Sequence, residues 1–128
     1  MKNCIFCFIA AIFFTSFFGC STHNSPAMVV FPPHQGRVFI TEQTLPSSVE
    51  FELISTIEVE KKWYGSTANA LMPMAERARK LGANAVIQVR TWFAPSGFSW
   101  AAPHAAGQAV MVKDINLLES NGIKGTWN

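Results

Sequence analysis

The chain reads as an α+β protein: a small β-β-α-β-β domain, one helix packed on a mainly antiparallel four-stranded sheet, following a signal peptide and a flexible tether. Three observations predict it. Between Ala70 and Leu81 the apolar residues Leu71, Met74, Ala75, Ala78 and Leu81 recur at the spacing of one helical stripe, with Glu76, Arg77, Arg79 and Lys80 on the other side. From Phe51 to Glu60 the residues alternate, Phe51, Leu53, Ser55, Ile57 and Val59 on one face and Glu52, Ile54, Thr56, Glu58 and Glu60 on the other, as in a strand with one wet side. Two further β-branched or apolar runs, Ala85 to Phe93 and Gly107 to Lys113, follow the helix and suit a hairpin.

In chain order, the domain divides as 1–19 signal peptide, 20–36 tether, 37–120 folded domain and 121–128 tail. The first segment has a single basic residue, Lys2, before an apolar run from Cys4 to Phe18. That is the length of a signal-peptide core and short of the ~20 residues of a membrane-spanning helix. Thr15 and Ser16 interrupt it, so it reads as cleaved and not as a retained anchor. Cys4 and Cys7 stand in CxxC spacing, but inside this apolar core the pair is discarded with it.

The stretch Phe17, Phe18, Gly19, Cys20 resembles the bacterial lipobox, which implies cleavage between Gly19 and Cys20 and acylation of Cys20 as the new N-terminus. Phe17 and Phe18 stand where that motif prefers Leu and a small residue. Ordinary cleavage after Ser21, with Gly19 and Ser21 as the small residues, is the alternative. Lipidation accounts for Cys20, which would otherwise be a lone thiol in an oxidising envelope. Ser21 to Gly36 is polar and broken by Pro26, Pro32 and Pro33, so it reads as a tether, with Met28 to Phe31 able to dock on the domain edge.

The folded part opens with Val38 to Thr41 as a short strand, followed by turn material around Pro46, Ser47 and Ser48. After the alternating strand, Lys61 to Asn69 is a loop in which Ser66 or Thr67 can cap the helix, and Pro73 confines the regular helix to a start near Leu71. Gly82 is the helix stop, and Asn84 is placed to bond its own backbone in the turn before Ala85. On the third strand Ala85, Ile87, Val89 and Thr91 share one face, Val86, Gln88, Arg90 and Trp92 the other. Strand, helix and strand make a crossover unit, right-handed if the two strands pair in parallel. Ala94 to Ala106 reads as a long hairpin tip, and the chain after Asn121-Gly122 as a fraying end.

These residues also carry a resemblance. Leu81 to Arg90 (LGANAVIQVR) and Ala105 to Val112 (AAGQAVMV) are similar to the core of the YbjQ-like family, and the lipobox, tether and RVFIT strand at Arg37 to Thr41 resemble the related RcsF-like outer-membrane lipoprotein domains. The resemblance implies a lipid-anchored domain in the envelope of a Gram-negative bacterium, facing the periplasm from the outer membrane. It also implies two roles to weigh: an envelope-stress sensor or regulator, or a self-assembling ring protein. The cysteines that form disulfides in RcsF-like domains have no counterpart here beyond Cys20, which removes a redox switch of that kind. The metal label attached to YbjQ-like proteins has no ligand set to rest on, since His23, His34 and His104 read as isolated loop residues.

The charge and motifs narrow the function classes. A net charge of +2, lowered by one when Lys2 is set aside, gives no field for nucleic acid, and Arg77, Arg79 and Lys80 form a solvated helix face. Glu58 and Glu60 share a strand face, but no second acid-base element accompanies them, and no nucleophile elbow or phosphate loop is present. The expectation is a non-catalytic protein without cofactor, metal or small-molecule substrate, acting by contact with an envelope protein or with itself. Trp92, Phe93, Phe98 and Trp100, with Trp63 and Tyr64 nearby, either enlarge the core or form the partner surface.

Overall fold

The structure is a computed structural model that describes residues 30–128. Gly19, Cys20, His23 and the cleavage and lipidation readings attached to the N-terminus lie outside the described residues. The elements are β1 (Phe39–Ile40), β2 (Phe51–Glu60), a 3-10 turn (Thr67–Ala70), α1 (Leu71–Lys80), β3 (Ala85–Ser96), β4 (Ser99–Val112), α2 (Asn116–Ser120) and β5 (Thr126–Trp127). They form an α+β fold with one main helix. Among the described residues the sheet has five strands and not four, in the order β2-β4-β3-β1-β5, antiparallel throughout except for the β1–β3 pair. β2 and β3 run parallel, but β4 lies between them, so the crossover through α1 skips one strand.

α1 begins where Pro73 permits. Ser66 accepts from the Ala68 N–H at 3.3 Å and caps the 3-10 turn that leads into it. At the other end Gly82 takes φ +84°, and the Ala83 N–H returns to the Ala78 carbonyl at 2.9 Å. Glycine is needed there twice, because a Cβ on Gly82 would lie 2.4 Å from Phe31 Cβ and 2.7 Å from the Pro32 carbonyl oxygen. Residues 31–36, read as the end of a free tether, are thus strapped across the helix terminus. The His34 N–H donates to the Arg79 carbonyl at 2.8 Å, and Arg79 Nε donates to the Gly36 carbonyl at 3.1 Å.

The sheet is covered on both faces. On one side Met74, Ala75 and Ala78 of α1 meet Val38, Ile40, Ile57, Val86, Val89, Ala105 and Ala109. On the other side Leu118 of α2 joins Val49 and Ile123 over Phe39, Ala85, Ile87, Val110 and Val112. The second cluster has no helical or alternating signature of comparable length, and α2, at the end of the 37–120 domain, adds a short helix to the one the sequence predicts.

Two bulges redistribute the faces. In β2 the register shifts between Leu53 and Ser55, so Ile54 joins Ile57 and Val59 on the α1 side while Phe51 and Leu53 pair with Val112 and Val110 of the second cluster. In β3 the shift falls between Ile87 and Arg90, with Gln88 at φ +52°. Val89 then follows Val86 to the α1 side, away from Ala85 and Ile87, which corrects the simple alternation. The C-terminus does not fray: Val38 and Asn128 exchange backbone hydrogen bonds of 2.7 and 3.0 Å, and Trp127 packs edge-on against Phe39 at 5.1 Å.

Candidate functional site: an aromatic hairpin tip

Ala94 to Ala106, expected as a loop, is strand. β3 and β4 pair to within one turn of each other, Phe93 opposite Pro103, Ala94 opposite Ala102 and Ser96 opposite Ser99. The two prolines did not prevent it, since Pro95 lies next to the register shift between Ala94 and Ser96, and Pro103 uses its carbonyl to accept from the Lys61 N–H at 3.0 Å. β2 ends at Glu60, opposite His104, so the last part of the hairpin projects past its neighbour as a two-stranded ribbon.

The ribbon is braced. The Lys61–Ser66 loop leaves β2 and crosses the tip, where the Lys62 backbone lies 3.3 Å from the space a Gly97 side chain would occupy. Trp63 approaches Phe98 with ring centroids 6.0 Å apart. Even so, Phe98 is 86% exposed and Trp100 83%, while Trp63, Tyr64 and Phe93 each expose more than half of their surface. A small domain that used these rings to extend its core would bury them; here they face outward. Trp92 differs from the other three residues singled out in the sequence. It is half-buried and stacks on His104, rings 5.5 Å apart and 22° from parallel.

His104 is in β4, not in a loop, and its side chain is 9% exposed. Its Nε2 stands 3.8 Å from a Glu60 carboxylate oxygen, too far for a hydrogen bond, and has no other partner among the described residues. Glu58 and Glu60 both remain exposed on the edge strand. The ammonium of Lys113 donates to Glu50 at 2.6 Å, which holds the Glu50 carboxyl below the usual carboxylate range and raises Lys113. Both groups of this pair are exposed, and neither adjoins the tip.

Among the described residues no three His, Cys, Asp or Glu side chains converge as metal ligands, and no described helix is long and apolar enough to cross a membrane. The arrangement offers contact surface: rigid aromatic rings on an ordered hairpin, with Lys61 and Lys62 beside them. No protein-family model, curated protein or solved structure matches the chain.

Proposed function

We propose that this is a membrane-anchored lipoprotein of the bacterial envelope, held by acylated Cys20, that acts without catalysis by presenting the β3–β4 tip to a protein partner. The exposure of Phe98 and Trp100 on a braced hairpin is the observation that carries the contact role. Ordered, solvent-facing Trp and Phe side chains lose little conformational entropy on docking and concentrate interface energy.

The geometry gives this reading a direction. The described chain enters at Phe31 to Gly36, against the end of α1 and the start of β3, whereas the aromatic tip is at the far end of β3. Twelve residues of strand separate the two, about 40 Å at the usual rise. A domain held at its entry end therefore offers its rings away from the anchoring surface, to a partner across the compartment.

Two measurements test the proposal. Mass spectrometry of the mature N-terminus is expected to find diacylglyceryl-modified Cys20, and an unmodified terminus at Thr22 removes the anchor. Replacing Phe98 and Trp100 together by Ser is expected to abolish co-purification of the partner after crosslinking in cells while leaving Tm nearly unchanged. A large fall in Tm assigns the rings to the core instead.

A further inference from the structure

We propose that the outer edge of β2, from Ser55 to Glu60, is a strand-addition site for an extended, basic segment of a partner protein. It is a second surface, independent of the aromatic tip. β2 is the first strand in the sheet order and, among the described residues, pairs only with β4. The Lys61 N–H donates to Pro103, and an antiparallel ladder alternates, so the backbone groups of Ser55, Ile57 and Val59 turn toward β4 while those of Thr56, Glu58 and Glu60 turn outward. Of those outward groups the Thr56 carbonyl accepts from the Ser55 hydroxyl at 3.1 Å, and no other hydrogen bond among the described residues engages them.

Sheet edges are ordinarily blunted by proline, by lysine or by brevity. Residues 55–60 contain neither proline nor a basic residue, and the opposite edge, β5, is only two residues long. The bulge at Ile54 limits the usable edge on one side and the Lys61 turn on the other. What remains is six residues, the length of an ordinary strand.

The two faces of this edge state what the added strand must carry. Toward α1, a groove runs between Val59 and the helix, lined by Pro73, Glu76, Arg77 and Lys80, and admits a small apolar side chain against Val59 and Pro73. On the opposite face Glu58 and Glu60 are exposed and adjacent, and a residue placed directly across from each is favoured when it is Lys or Arg. The occupant is an alternating basic and apolar segment, bound through main-chain hydrogen bonds for affinity and through these faces for register.

Hydrogen exchange on the full chain in detergent micelles, read residue by residue, tests the site with a capped eight-residue peptide of alternating Lys and Val. The amides of Thr56, Glu58 and Glu60 are expected to exchange fast in the free protein and at least about tenfold slower with peptide, those of Ile57 and Val59 being protected throughout. A peptide N-methylated at alternate residues is expected to give no slowing, and the double variant Glu58→Lys, Glu60→Lys to bind about tenfold more weakly. Equal slowing by the N-methylated peptide overturns the proposal, because side-chain adhesion then suffices. So does an absence of slowing at the three amides, or protection in the free protein that rises with its concentration, which assigns the edge to a second copy.

Discussion

Asn84 does more than a turn residue is asked to do. Its side-chain amide donates to the Val112 carbonyl at 2.8 Å and its side-chain oxygen accepts from the Val112 N–H at 2.7 Å, so it prolongs β3 beside β4 as a side chain imitating one more peptide unit. Removing it leaves both backbone groups of Val112 without partners at the border of the second cluster, and stranded groups of this kind are costly. Asn84→Ala is expected to lower unfolding free energy by about 2–3 kcal/mol in urea titration. Asn84→Asp should be no better, since a carboxylate can accept from the N–H but faces the carbonyl oxygen with a second oxygen. Stability of the Ala variant within about 0.5 kcal/mol of the parent would show that water replaces the side chain. The neighbouring Gly82 was legible from its place after the apolar stripe. The role of Asn84 was not, because its partner lies 28 residues away and no local pattern encodes that distance.

At the level of elements, periodicity located β2, α1 and β3 but could not follow a strand through a bulge. An alternating reading assumes one residue per pleat, and each bulge adds one, so every side chain beyond it changes face. One trace was visible in β2, where Ile54 stood alone among Glu52, Thr56, Glu58 and Glu60. In β4 the trace was Gly107 within a strand otherwise rich in Ala and Val. It lies where two residues of β3 oppose one of β4, and a Cβ there would come within 2.8 Å of Val86 Cγ1, 2.9 Å of Val89 Cγ2 and 3.1 Å of the Ile87 carbonyl oxygen. Gly107→Ala is therefore expected to destabilise the domain by about 1–3 kcal/mol with an unchanged denaturant slope. A neutral result would mean that Gln88 can relax from its positive φ and let β3 straighten. The projecting ribbon was hidden for a different reason: small residues and prolines between Ala94 and Ala106 match loop composition, while the pairing that makes them strand is a property of the partner chain segment.

On the scale of the whole molecule, the terminal clasp and the aromatic tip sit at opposite ends. One end is a clasp in which β1, only two residues long, lies between β3 and β5 and depends on both. The Phe39 N–H donates to Asn84 and the Thr41 N–H to Val86, while Val38 pairs with Asn128 and the Trp127 ring covers Phe39 with Arg37 nearby. Deleting Thr126 to Asn128 removes one wall of this clasp, uncovers part of Phe39 and frees both backbone groups of Val38. The expected loss is about 3 kcal/mol, with hydrogen exchange accelerated most at Phe39 and Thr41 and least along β2 and β4. Sites separated by the length of β3 have no shared partner, so effects at the two ends should add and not couple. The truncated chain should then still capture whatever docks on Phe98 and Trp100, at temperatures where it remains folded. Loss of that capture in a folded truncation would mean that the clasp, and not the hairpin alone, sets the geometry of the aromatic tip.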